Sequence, residues 1–518
     1  MVKRQYFFWG AIHLACIQVG IMPSVVMAQF PNRPTYDTTT ASGIRYRAEL
    51  SGMASTNGNT PFWMRSNQFG TIPWQLPAGI GTVGLSGLWG NARQSRKPYI
   101  KAAIEVVGNL NQSFRLVLPE AYLAVRLGHG ELYVGRQKEI HGLVDTLLTS
   151  GSIAWSGNAV PITQIRLGTR DFAPLKFTKG LIAINAFFSH GWFADTDSMH
   201  NVMLHAKAIM VRVGKPNWKV RLYGGTNHFA QWGGYSKALA DGPVSQFLSS
   251  NGHLPSSLKA YKSVVWPIGQ PGSDDQYATI DTINQVGNHL GSIDAGLDIQ
   301  LKNGSLFLYS QHLFEDNSGL TFKNFPDGLF GIRWKAGRSN DGAVVQLKQL
   351  TAELITTRNR SGTKLPYGRD DYFFHGQYLD GWTHKGAIIG TPIFTRTADL
   401  PAALLKKSTW LSRSFAYRLL PVNNNDVQSI HVGAYAVLFQ RISVMLLATG
   451  SRYYEFDYST KTYDQLSVSL ELANLVMMGN VNMGLKLAYD TGAIFASNLG
   501  GMLMLRKTGL LTRKSASR

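Results

Sequence analysis

Apolar and polar positions alternate with a period of two along much of the chain. In residues 480–490, Val481, Met483, Leu485, Leu487 and Tyr489 fall on one side, and Asn480, Asn482, Gly484, Lys486, Ala488 and Asp490 on the other. Residues 293–302 set Ile293, Ala295, Leu297, Ile299 and Leu301 against Asp294, Gly296, Asp298, Gln300 and Lys302. In 465–473, Leu466, Val468, Leu470 and Leu472 oppose Gln465, Ser467, Ser469 and Glu471. Ala121, Leu123, Val125 and Leu127 oppose Glu120, Tyr122 and Arg126, while Ile100, Ala102, Ile104 and Val106 oppose Lys101 and Glu105. Successive side chains of a strand point to opposite faces, so each stretch is a strand with one oily and one wet side.

A soluble sandwich carries the same alternation. Three features favour a transmembrane antiparallel β-barrel. The stretches are about 9–11 residues long, which is what a tilted strand needs to cross a bilayer. Small and polar residues recur on the wet side, as in a lumen. Turn clusters separate the stretches, among them 422–426 and Lys302-Asn303-Gly304-Ser305, which predicts a tight hairpin joining 293–301 to 306–311. There is no short exact repeat, which disfavours propellers and solenoids. Three regions alternate poorly: 29–96, rich in Pro, Gly and Thr; 241–290, with a short helix expected near 256–264; and 369–392, rich in aromatics, Gly and His. In a barrel these are plugs or long loops. The last strand is expected near 492–505. The organisation read from the pattern is a signal peptide at 1–28, an irregular or plug segment at 29–95, the barrel at 96–510, and a basic tail at 511–518.

The N-terminus sets the compartment. Lys3 and Arg4 precede a largely apolar stretch, 6–22, and Val26-Met27-Ala28 supplies a small residue for cleavage after Ala28. Cys16 is the single cysteine and lies inside that stretch; His13-Leu14-Ala15 before it is a poor lipidation box. The mature chain is then expected to hold neither a disulfide nor a thiolate metal site. Charged residues make up 16% of the chain, below the roughly 25% usual in soluble proteins, while 53 Gly, 25 Phe, 21 Tyr and 12 Trp are spread along it. No apolar run after Ala28 approaches the length of a spanning helix. Together these fit a barrel in the outer membrane of a Gram-negative cell.

The net charge of +20 at pH 7 points to an anionic partner. Export argues against nucleic acid and for lipopolysaccharide or an acidic exported polysaccharide; a plain solvated basic surface is the alternative. No constellation of a known chemistry appears, and no cofactor or metal is expected. Gly79-Ile80-Gly81-Thr82-Val83-Gly84 fits the dinucleotide fingerprint, with Glu105 further on, but no buried strand precedes it and no βαβ pattern surrounds it. There is no Walker A loop, nucleophile elbow or zinc helix. His375 and His384 lack a ligand spacing, and Asp274-Asp275 reads as a solvated turn before it reads as a calcium loop. The chain is therefore not expected to be an enzyme, although paired acids for glycoside hydrolysis need no proximity in sequence.

Several blocks resemble the Wzi family of capsule-assembly outer-membrane proteins, in the form found in Bacteroidetes. They are Thr60-Pro61-Phe62-Trp63 with Asn67-Gln68-Phe69-Gly70; Glu120-Ala121-Tyr122; Val134-Gly135-Arg136-Gln137; Ser156-Gly157-Asn158-Ala159-Val160-Pro161; and Asp327-Gly328-Leu329-Phe330-Gly331. The most specific is Tyr372-Phe373-Phe374-His375-Gly376-Gln377-Tyr378, followed by Gly381-Trp382 and Gly390-Thr391-Pro392. Thr163 stands where a second proline is expected. The resemblance implies an 18-stranded barrel with a small helical plug on the periplasmic side. It also implies a lectin-like role in holding exported capsular or other surface polysaccharide at the cell surface. It supplies no catalytic residues. A porin or sugar-selective channel is the alternative that the polar lumen faces allow. Oligomeric state is not legible; a monomer is the expectation.

Two groups of residues are candidates. Glu120 and Tyr122 fall on the predicted lumen face near Arg136, where a Glu–Arg pair and a phenol form either a structural lumen network or a ligand contact. His375, Tyr378, Asp380 and Trp382 bring stacking faces and polar edges into one stretch, the mixture a sugar needs. An aromatic girdle at the membrane interface with turn glycines is the alternative for that stretch.

Overall fold

The computed structural model describes residues 43–511, apart from 91–96, 242–244, 268–276, 284, 338–341, 363–369, 402–403, 405–420, 455–460 and 479–480. The signal peptide at 1–28, the Asp274-Asp275 turn and most of the basic tail lie outside the described residues.

Eighteen strands form one closed antiparallel barrel. The first nine are Gly43–Ser55, Ala78–Trp89, Tyr99–Leu110, Phe114–Leu127, Gly130–Arg136, Thr163–Thr169, Ile182–Trp192, Met203–Val213 and Val220–Trp232. The second nine are Asn288–Leu301, Gly304–Phe314, Gly328–Ala336, Val345–Thr356, Val427–Leu438, Ile442–Tyr454, Thr462–Ala473, Val481–Gly492 and Asn498–Leu510. Each pairs with its neighbour in sequence, and Gly43–Ser55 closes on Asn498–Leu510 from Arg45↔Leu510 to Ser55↔Gly500. Closure satisfies every strand edge internally, which a bilayer demands because lipid offers no hydrogen bonds.

The wall is apolar outside and polar inside. Along Thr462–Ala473, Leu466 is 44% exposed, whereas Ser467 is 3% exposed. On Val481–Gly492, Leu487 and Tyr489 face out while Lys486 and Asp490 are buried. In water such exposed leucines would be costly; here lipid replaces water as their neighbour.

Two expectations of the sequence need correction. Residues 43–89 are not an irregular N-terminal segment, because they supply two wall strands; only 56–77 between them is irregular. The reason is glycine. Ala78–Trp89 places Gly79, Gly81 and Gly87 among its outward positions, so the oily side has little contrast. The dinucleotide-like glycines sit within this strand, and its backbone is paired on both sides, which leaves no cradle for a phosphate. The last strand runs Asn498–Leu510, shifted from the expected 492–505.

The part of the expected plug segment at 29–42 lies outside the described residues. The turns 128–129, 302–303 and 439–441 are short, and both ends of the described chain lie at that same rim. The opposite rim carries the long loops 56–77, 137–162, 233–287 and 357–426. Short turns are periplasmic as a rule, so the long-loop rim is the outer one. Among the described residues, it is loops of this outer rim that enter the lumen. Phe62 N donates to Asp490 Oδ2 at 2.8 Å and Trp63 Nε1 to Thr449 Oγ1 at 3.1 Å. From the 137–162 loop, Thr149 and Ser150 converge on Glu353, which also accepts from Tyr309, at 2.5–2.7 Å. Hydrogen bonds to a buried carboxylate contribute about 1.5–3 kcal/mol each, enough to hold these loops in place. The predicted short helix is present at Leu258–Val265, capped by the Ser257 side chain accepting from Ala260 N. It packs on the outer side of Val220–Trp232, against Ala230 and Trp232.

Candidate functional site

Of the expected sugar-contact residues, Trp382 and Tyr378 are buried, whereas His375 and Asp380 are half-buried. Trp382 is fully buried, and its Nε1 donates to Ala154 O at 2.7 Å. Its ring centroid lies 6.0 Å from both Trp155 and Phe229. Tyr378 is buried in a cluster with Met199, Val202, Leu239, Leu248 and Leu254. His375 packs 5.5 Å from the Tyr378 ring, and Asp380 accepts from Thr196 Oγ1 at 2.6 Å. Trp382 and Tyr378 therefore offer no free ring face, either to a sugar or to the membrane interface. The mixture of aromatics and polar edges closes a loop on itself.

The expected Glu120–Arg136 pair does not form. Arg136 Nε donates to Thr163 Oγ1 at 2.7 Å, and Glu120 sits instead among the charges of Lys138, Glu105, Lys101 and Arg47. Tyr122 faces the lumen, with its ring 6.1 Å from Tyr133 and the Lys101 ammonium 5.8 Å above it. The lumen network runs through other residues. Glu105 accepts from Lys138 at 2.5 Å and from Arg47 at 3.2 Å, and Arg47 and Arg506 meet at Glu49.

A recess of about 330 Å³ opens at the outer rim, where the loops 56–77, 383–399 and 493–497 meet the start of Phe114–Leu127. Four cations line it (Arg65, Arg115, Lys385 and Arg396) against one carboxylate, Asp399. Trp74, Phe394 and Phe495 supply aromatic wall. Each element arrives for a local reason. The turn Phe62–Arg65 is pinned by the burial of Phe62, Trp63 and Met64, which leaves Arg65 at its end facing the recess. Lys385-Gly386 is the two-residue turn of a small hairpin, Thr383–His384 with Ala387–Ile388. Both turn residues have positive φ, 48° and 79°, as a type I′ turn requires. That turn projects Lys385 to the rim. Below it His384 is locked: Nδ1 bonds Val160 O at 2.7 Å and Nε2 faces Ala194 N at 3.3 Å. Burial lowers the His384 pKa to about 4, so it is neutral in the closed loop.

The electrostatics are one-sided. Arg396 holds both Asp399 oxygens, at 2.9 and 2.6 Å. The Arg65 guanidinium lies 4.2 Å from the Trp74 ring centroid and 5.1 Å from that of Phe495. Its Nε is shielded from solvent and unbonded, and burial lowers its pKa to about 10. Partial burial, together with Arg136 and Arg115, lowers Lys385. Arg136 is thus the one expected site residue that acts on the recess. The sequence did not reveal the rest, because Arg65 and Phe495 are far apart along the chain. The nearest signal was the block spanning 60–70, which contains Arg65.

Comparison with known proteins places the chain in context. A family model described as capsule assembly protein Wzi matches residues 90–474. No characterised protein matches by sequence. Among solved structures, Wzi of Escherichia coli, an outer-membrane protein involved in group 1 capsule assembly and described as a carbohydrate-binding β-barrel, is 15% identical. The match covers 89% of this chain and 83% of that one, with a TM-score of 0.55. Pseudomonas aeruginosa OccK5 (OpdH) is 9% identical, covering 91% and 98%, with a TM-score of 0.45. OpdL of the same organism is 8% identical, covering 91% and 99%, also at 0.45. At these identities the likeness is one of fold.

Proposed function

The chain belongs to the Wzi capsule assembly family, and on that premise we propose that it holds exported capsular or surface polysaccharide at the outer face of the outer membrane, without chemical turnover. The observation that carries this reading is the cationic, aromatic-walled recess at the outer rim of a barrel whose lumen is filled by its own loops. A protein that retains a polymer needs a docking surface outside and no passage through its centre. The lining supports binding over hydrolysis: glycoside hydrolysis uses a pair of carboxyl groups, and the recess is lined by Asp399 alone, which Arg396 engages. The packed loops argue against the channel reading. The proposal takes the chain to be exported with cleavage after Ala28, monomeric, and surrounded by lipopolysaccharide. The test is the split between cell-attached and shed polymer in a deletion strain, with total polymer measured. Unchanged total with a shift to the medium is expected; an unchanged split overturns anchoring.

A further inference from the structure

The recess carries information about its ligand that the family reading does not. The Arg65 guanidinium is recessed between Trp74 and Phe495, and among the described residues none accepts a hydrogen bond from it. Arg65 is half-buried, its guanidinium held against Trp74, Phe495 and Phe62, and a partly desolvated cation whose donors find no protein acceptor favours an anionic ligand that supplies one. Asp399 and Asp490 attract it through space, but neither bonds it: Asp399 holds Arg396, and Asp490 Oδ2 accepts from Phe62 N. Arg115 and Lys385 add two exposed cations at the mouth. A planar guanidinium with aromatic walls suits a flat, forked oxyanion carried on a ring.

We propose that this recess takes a carboxylate-bearing saccharide unit of the surface polymer: Arg65 meets the carboxylate through its fork, Trp74 and Phe495 flank it, and Lys385 and Arg115 draw the anionic chain to the mouth. The volume of about 330 Å³ lies at the small end of ligand pockets, which suits one or two sugar rings and excludes a wide polymer bundle. The inference rests on the anchoring reading and names the chemistry that anchoring uses.

The test measures binding of the strain's own extracted polysaccharide to the full-length protein in detergent micelles, before and after its carboxyl groups are reduced to alcohols. Native polymer is expected to bind at least tenfold tighter than reduced polymer. Arg65→Met is expected to lose that tenfold preference, Arg65→Lys to lose part of it, and Lys302→Gln at the opposite rim to keep it. Heat-modifiable gel migration confirms that each variant is folded. Equal binding of native and reduced polymer overturns the proposal while anchoring stands. Binding lost only after removal of sulfate or phosphate assigns the site to those oxyanions and overturns the carboxylate. Wild-type affinity in Arg65→Met moves the site elsewhere. No binding of either polymer by any form removes the anchoring reading itself.

Discussion

Glu471 and Lys486 face each other directly across neighbouring strands, 3.4 Å apart and each 3% exposed, while Leu472 and Leu485 beside them point to the lipid side. The charged pair is inside and the leucines are outside, which inverts the arrangement of a water-soluble domain. Glu471→Ala leaves the Lys486 ammonium without its cross-strand carboxylate. Breaking such a pair costs about 3–5 kcal/mol, so this variant is expected to unfold from lipid vesicles at markedly lower urea than wild type.

The same inversion governs the outer wall. Leu446 is 43% exposed, and in a soluble protein Leu446→Arg would be nearly neutral. Here it is expected to destabilise by about 2–4 kcal/mol if it lies near the bilayer midplane. Folding equilibria in vesicles check this, with a substitution at Leu499, close to the outer rim, costing less.

Trp382 fills the junction of Trp155, Phe193 and Phe229. Trp382→Ala removes a fully buried ring and is expected to cost about 3–5 kcal/mol of loop packing. In planar bilayers the wild type is expected to show no steady conductance and the variant to flicker open. A large steady conductance in the wild type would instead favour the channel reading.

His384 predicts the pH response of the loop beneath the recess. Its ordinary pKa is 6.5 and burial lowers it to about 4 in the closed loop. Above pH 6.5 closed and opened forms are both neutral, and the loop has its full stability. As pH falls from 6.5 toward 4, the opened form takes up a proton that the closed form refuses, so closure weakens, by about 3 kcal/mol at most. Protonation also turns Nε2 into a donor facing the Ala194 N–H. Protease nicking of the 370–400 loop is expected to rise across this window and to stay flatter in His384→Gln.

The local pattern determined the class and much of the wall. A strand repeats every two residues, so Gln465 to Ala473 announces both its conformation and its two faces without reference to anything distant. A two-residue turn such as Lys302-Asn303 is equally local. Glycine-rich Ala78–Trp89 escaped because a side chain that is absent cannot mark a face. The tertiary structure alone decided what fills the lumen and where the recess lies. Whether Trp382 stacks on a ligand or on Phe229 depends on which loop folds over it. Whether Arg65 finds an acid depends on where 383–399 and 493–497 come to rest. Alternation encodes direction relative to the sheet; it carries nothing about the long-range contacts that turn an aromatic-rich stretch into a core and a scattered set of cations into a site.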